Sequence, residues 1–223
     1  MKQDMNRGTG IHEYFKKINR TSAYWAGYIA ADGNIYTSNN RTVLQIDIKI
    51  ADKEHLEVFR RNIKCNSKVR IYKRTTTYSR GIEKEYAHIG ICNASEIAKT
   101  LLKVYNITER KSKTLKPPQN LDLIIKLAFI KGIIDGDGTI RINDKVKTGR
   151  PRLTLEICGT KDMLTWISTT FNDIIKDDIS HVYFDKASNT YRYILTGLKA
   201  KQVLLKLHKI KTPELKRKWE VLK

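Results

Sequence analysis

The chain has 223 residues, 40% of them hydrophobic, and its 43 Lys and Arg against 23 Asp and Glu leave a formal charge of +20. That length holds one large domain or two of about 100 residues, and a positive excess spread along the whole chain points to a polyanion, nucleic acid first, and fits a purely structural protein poorly. Three distant cysteines, Cys65, Cys92 and Cys158, exclude a disulfide framework and a zinc pattern, and with no run of 18 apolar residues and no apolar N-terminal segment the expectation is a soluble intracellular protein without a membrane partner.

Residues 1–20 read as an N-terminal extension that includes a short basic segment, IHEYFKKIN at 11–19. A first half follows over 21–106. It opens on a helix containing WAGYIAADG (25–33), and a strand leaves that motif. Strict alternation over TVLQIDIKI (42–50) predicts a second strand, with Leu44, Ile46, Ile48 and Ile50 on one face. DKEHLEVFRRNI (52–63) predicts a helix with Asp52 at its N-cap. Strands near 67–74 and 84–92 and a helix at 94–105 complete the half. The segment 107–120, with Pro117-Pro118, reads as a linker.

A second half over 121–210 repeats this order. Its helix contains IKGIIDGDG (130–138), and Gly27 and Gly132 stand 105 residues apart. A strand at 152–158, a helix at 160–171, strands near 180–186 and 190–196 and a helix at 201–210 follow. Residues 211–223 are expected to form a C-terminal helix. Such internal repetition in one order predicts two like units.

The repeated motif carries the chemistry. Small residues four apart, Gly27 with Ala31 and Gly132 with Gly136, let a second helix backbone come close, so the two motif helices are expected to pack on each other. That brings Asp32 and Asp137 to one end of the seam. A carboxylate at a helix C-terminus meets the negative end of the dipole, and two together repel further. A divalent cation offsets both effects, and oxygen ligands without His or Cys suit Mg²⁺. Gly33 and Gly138 are expected to end the helices at positive φ.

On these residues the chain resembles the LAGLIDADG homing endonucleases of the single-chain, two-motif type. The motifs read Trp25-Ala-Gly-Tyr-Ile-Ala-Ala-Asp-Gly33 and Ile130-Lys-Gly-Ile-Ile-Asp-Gly-Asp-Gly138, and the first has Ala30 where the second has Asp135. The resemblance implies an α+β fold of two pseudo-symmetric αββαββα halves, each with a four-stranded antiparallel saddle-shaped sheet, joined through the paired motif helices. It implies metal held by Asp32 and Asp137 and by the carbonyls of Ala31 and Gly136, with Mg²⁺ or another divalent cation such as Mn²⁺. It also implies a staggered double-strand cut in DNA and a basic residue near each site. Lys111 is the candidate in the first half and Lys216 in the second.

The outward positions of the strands are the candidate DNA contacts: Asn34, Tyr36, Ser38, Gln45, Asp47, Lys49, Lys68, Arg70, Tyr72 and Arg74 in the first half, and Thr139, Arg141, Asn143, Arg152, Thr154, Glu156, Tyr183 and Arg192 in the second. Arg pairs with guanine, Gln and Asn with adenine, and Asp47 and Glu156 could accept from cytosine. The loops 75–84 and 144–151 are assigned to phosphate contacts. Unlike halves predict an asymmetric target, and the internal seam predicts a monomer with double-stranded DNA as partner. Two other readings keep the fold: a maturase that binds the RNA of its host intron, and a DNA-binding regulator that has lost catalysis.

Overall fold

Alternating apolar positions and capped amphipathic segments build each half from the same seven elements. The computed structural model describes residues 13–75, 82–143, 151–177 and 181–222. The first half runs α1 (Arg20–Asp32), β1 (Gly33–Ser38), β2 (Arg41–Lys49), α2 (Lys53–Asn62), β3 (Arg70–Thr75), β4 (Glu83–Cys92) and α3 (Ser95–Tyr105). The second runs α4 (Leu123–Asp137), β5 (Gly138–Asn143), β6 (Arg152–Gly159), α5 (Lys161–Ile175), β7 (Val182–Asp185), β8 (Thr190–Thr196) and α6 (Gly197–His208). The expected order holds in both halves. The expected C-terminal helix is shorter than its sequence suggests: one α-turn, α7 (Lys216–Trp219), continues as a 3₁₀ turn over Glu220–Leu222.

Each half forms one antiparallel sheet, ordered β1-β2-β4-β3 in the first and β5-β6-β8-β7 in the second. Asn39 and Asn40, both at positive φ, join Ser38 to its partner Arg41 in a two-residue hairpin that matches the strand twist. In β2 the inward Leu44, Ile46 and Ile48 are buried while Gln45 and Asp47 are half-buried, which is the period-2 pattern of a sheet with one covered face. The strand pattern near 67–74 starts later than expected, at Arg70, so Lys68 precedes the strand as an exposed residue.

The motif helices α1 and α4 differ from the others. They are buried on all sides, from Ser22 to Ala30 and from Leu127 to Asp135, as helices at the centre of a molecule must be. Asn19 caps α1 in a reciprocal capping box with Ser22, and Asp122 caps α4 through the Ile125 amide. Between them the seam is tight. A β-carbon on Gly27 would lie 1.9 Å from the Phe129 carbonyl oxygen, and one on Gly132 would lie 2.0 Å from that of Tyr24. Tyr24 and Phe129 are themselves equivalent positions of the repeat, so the two contacts are related by a pseudo-twofold axis.

The linker is no free tether. Asn106 donates to the Pro117 carbonyl at 2.6 Å, Thr160 of the second half donates to the Leu115 carbonyl at 2.6 Å, and Thr37 donates to Glu109 at 2.7 Å. Among the described residues no helix is long and apolar enough to cross a membrane.

Gly27→Ala and Gly132→Ala should each cost about 3 kcal/mol or more of unfolding free energy, because the obstacle is backbone and the helices must move apart. Gly159→Ala, whose added carbon meets Leu164 at an ordinary 3.6 Å, should change stability by about 1 kcal/mol or less. Denaturant unfolding of the three variants checks both statements.

Candidate functional site

Each motif helix ends on its acid and turns directly into a strand. The expected positive φ is absent: Gly33 sits at φ −75° and Gly138 at φ −89°, both extended. Glycine is needed there for space. A β-carbon on Gly33 would come within 2.6 Å of the Ile29 carbonyl, and one on Gly138 within 2.7 Å of the Ile134 carbonyl. One residue before each acid the seam has room for a single methyl. Ala31 supplies it, and a β-carbon on Gly136 would lie 2.3 Å away.

Asp32 and Asp137 line one open cleft of about 420 Å³ with Tyr28, Asp52, Thr139 and Lys218. Asp32 is half-buried, whereas Asp137 is open to solvent along one side. Crowding by protein pushes the Asp137 carboxyl up to about 6, with the charge of Asp32 adding to the rise and Lys111 and Lys218 opposing it. Burial also raises Asp32, against Lys218, a hydrogen bond from Tyr28, and Lys111. Solvent on the open side of Asp137 screens these interactions.

Two lysines act on these acids from segments that follow the last helix of each half. Lys111, in a 3₁₀ turn over Lys111–Lys113, is buried and its ammonium donates to the Gly33 carbonyl. Lys216, the expected counterpart, is exposed on α7 and makes no such contact. Lys218 takes the place instead. Its ammonium lies 2.5 Å from the Asp135 carbonyl, 2.7 Å from Gly138, 3.0 Å from Ile134 and 3.1 Å from Gly136. The carbonyls of Gly33 and Gly138 are equivalent in the repeat, so the two ammonium groups hold equivalent atoms. Burial lowers the proton affinity of both lysines, and the nearby carboxylates raise it: Asp137 and Asp32 at Lys111, and Asp135 foremost at Lys218. The Gly136 carbonyl, expected to face metal, here faces Lys218. The register was missed because the chain between the last helix and the lysine is longer in the second half. Leu215 and Trp219, apolar on either side of Lys218, are the signal that could have found it.

The C-terminal segment is fastened at several points. The Asp135 carboxylate, 1% exposed, accepts from the Tyr24 hydroxyl at 2.6 Å, the Leu215 amide at 2.8 Å and the Trp219 indole at 2.7 Å. Because the Tyr24 proton goes to Asp135, the His55 Nε2–H donates to the Tyr24 oxygen, 2.9 Å away. Lys131, wholly buried, pairs with Glu214 at 3.0 Å and lies 4.9 Å from the Trp219 ring. Asp52 stands at the N-cap position of α2 but makes no capping bond. Its carboxylate instead receives both prongs of Arg217 at 2.7 Å, because a bidentate charged pair outweighs one amide bond.

The register places the candidate contact residues on one face of each sheet. Asn34 lies opposite Gln45, Asp47 opposite His88, itself opposite Arg70, and Lys49 opposite Tyr86, itself opposite Tyr72. Arg74 continues this face, its guanidinium 4.4 Å from the Tyr86 ring centre, and Tyr36 and Ser38 extend it along β1. In the second half Thr139 faces Glu156, Arg141 faces Thr154, Asn143 faces Arg152, and Tyr183 faces Arg192. The acids on these faces are already engaged. Asp47 accepts from the Tyr72 hydroxyl at 3.0 Å and contacts His88 at 2.9 Å. Glu156 is bridged by Arg141, at 3.0 Å, and by Arg192, which also pairs with Asp185 at 2.7 Å. Glu156, under these two arginines, and Thr154 are both buried, unlike the open outward positions that the strand pattern suggests. Residues 76–81 and 144–150 of the two loops assigned to phosphate lie outside the described residues.

Among the described residues no cluster of three or more His, Cys, Asp or Glu could hold a metal. Mg²⁺ does not demand one, since it binds through one or two carboxylates and keeps several waters. Burial raises the proton affinity of both carboxyls, and the charge of Asp32 adds to the rise at Asp137, a repulsion that a divalent cation would relieve. Two acids in a cleft whose lining, among the described residues, includes no His or Cys fit such an ion.

A family model described as a LAGLIDADG-like domain matches residues 20–113. No curated protein matches the sequence. Among solved structures, the homing endonuclease I-WcaI bound to its DNA recognition sequence is similar at a TM-score of 0.64 and 17% identity, over 97% of this chain and 95% of that one. The I-LtrWI LAGLIDADG homing endonuclease bound to target DNA is similar at 0.56 and 12%, over 92% and 87%. Full-length DUF199/WhiA from Thermatoga maritima is similar at 0.52 and 12%, over 95% of this chain and 64% of that one. At these identities the likeness is one of fold.

Lys218→Met should cost about 3 kcal/mol of stability by leaving buried carbonyls without a donor, while Lys216→Ala should stay within about 0.5 kcal/mol; thermal unfolding of both separates the two lysines. Burial holds the His55 imidazole down at about 4, against Asp52, which raises it. A depressed folded value gives stability that is full above the usual histidine range and is lost as pH falls toward 4. The unfolding free energy of the wild type relative to His55→Gln should therefore drop by about 3 kcal/mol between pH 7 and pH 4, measured by urea titration at each pH.

Proposed function

We propose that this chain, which carries a LAGLIDADG-like domain over residues 20–113 and has the fold of the single-chain, two-motif LAGLIDADG homing endonucleases, is a site-specific DNA endonuclease acting as a monomer on a long asymmetric duplex target. The observation that carries the reading is the meeting of Asp32 and Asp137 in one cleft at the end of the helix seam, in a chain of charge +20.

The two outward sheet faces bind the duplex. Exposed Arg, Lys and Asn along β1, β3 and β5 contact phosphates and base edges. The pairs Glu156 with Arg141 and Arg192, and Asp47 with His88 and Tyr72, hold their cationic and polar partners in fixed directions toward the groove. Differences between the faces at equivalent positions make the target asymmetric. Asp32 and Asp137 would hold Mg²⁺ or Mn²⁺, which when bound supplies charge neutralisation at the scissile phosphates and an activated water. Lys111 and Lys218 keep the Gly33 and Gly138 turns in place, and their charges draw the two phosphates toward the cleft. Because one acid comes from each half, one phosphodiester on each strand is addressed, and the reading includes a staggered cut.

The test is selection of cleaved duplexes from a randomised DNA library with Mg²⁺, with Ca²⁺ as a binding control. A single long, non-palindromic site is expected. Asp32→Asn and Asp137→Asn should each reduce double-strand cleavage at least about 1,000-fold while duplex binding in Ca²⁺ stays within about tenfold. Binding without cleavage in any divalent cation would move the chain to the inactive-regulator reading, and full cleavage by either variant would refute the metal assignment.

A further inference from the structure

The second motif carries an acid, Asp135, where the first carries Ala30, and Asp135 is not one of the two carboxylates of the cleft chemistry. It is nonetheless almost fully buried, and its two oxygens take three donors. One donor, Tyr24, comes from the opposite motif helix. The other two, the Leu215 amide and the Trp219 indole, bracket Lys218 in sequence. Leu215 is 5% exposed and Trp219 1%, so without the carboxylate both N–H groups would be buried without a partner, a cost that favours detachment of the segment. Among the described residues no buried carboxylate holds the Lys111 segment in this way. It rides on the linker, and the position equivalent to Asp135 is a methyl.

Resting on the nuclease reading above, we infer that Asp135 is a positioning residue for the second half alone: it holds the segment 215–219 against the seam and thereby sets Lys218 beside the Gly138 turn. The two lysines are then placed by independent devices, and the cuts of the two DNA strands can be uncoupled. Weakening the Asp135 contacts displaces Lys218 and slows one cut, while Lys111, held through the linker, continues to serve the other. A purely structural role for Asp135 would loosen the shared seam and slow both cuts together.

The experiment uses the full chain and a supercoiled plasmid bearing one selected target site. Wild type, Asp135→Asn and Trp219→Phe are compared for the rate of each strand cut and for hydrogen exchange at the Leu215 amide. Trp219→Phe keeps an aromatic ring in place and removes only the indole donor, so it carries the test if Asp135→Asn does not fold. The expected result is accumulation of nicked circle, always broken in the same strand. The ratio of the two strand rates should change about 10- to 100-fold, with faster exchange at Leu215. Equal slowing of both strands, or an unchanged ratio despite faster exchange, overturns the inference and leaves the nuclease reading intact. A wild-type protein that leaves the plasmid whole overturns the nuclease reading itself, and the strand-specific role falls with it.

Discussion

Gly27 and Gly132 leave no room for a β-carbon, and the close approach of backbone that they permit sets everything placed around them. It brings the C-terminal ends of two buried helices side by side, and each end carries an acid. The sheets then diverge from that point, because β1 and β5 start one residue after Asp32 and Asp137. A helix pair held apart by larger residues would separate the acids and change the angle between the two sheets at the same time. Site geometry and the shape of the outward faces are thus fixed by one steric condition.

The electrostatics follow from that arrangement. Like charges meet in a cleft crowded by protein, which raises the proton affinity of Asp137, and the neighbouring ammonium groups oppose the repulsion without cancelling it. Lys111 and Lys218 are themselves spent on backbone carbonyls, so they act as fixed positive charges with one permitted orientation. Asp52 and Arg217 form a further charged pair across the same cleft wall. Asp52 is buried while Arg217 is half exposed, and losing the arginine would leave a buried carboxylate without its partner, so this pair ties the C-terminal segment to the first half.

Local sequence order carried most of the architecture. The repeat, the motif helices, the strand alternation and the shared face of the outward residues all depend on periods of 2 and 3.6, which a sequence displays directly. What it hid were contacts between residues far apart in the chain. Asp52 looks like a helix cap until Arg217, 165 residues later, is brought to it. Lys216 fits the repeat offset better than Lys218, yet loop length shifts the register by two. Glu156 reads as an exposed acceptor on a basic face until Arg141 and Arg192 close over it. The glycines after each acid were rightly expected to end the helices but for another reason: crowding by their own helix carbonyls and not a left-handed backbone.

The one-methyl gap between Ala31 and Gly136 has a consequence for building symmetric proteins from this chain. A homodimer of the first half would bring two alanine methyl groups to a point where the structure has space for one, about 2.3 Å apart, and would need Ala31→Gly before it could assemble. A homodimer of the second half meets no such clash and leaves a small hole instead. It would, however, set Phe129 where Tyr24 now stands, so each Asp135 would lose its hydroxyl donor. The fused chain therefore holds a combination of seam residues that neither half could supply by self-association.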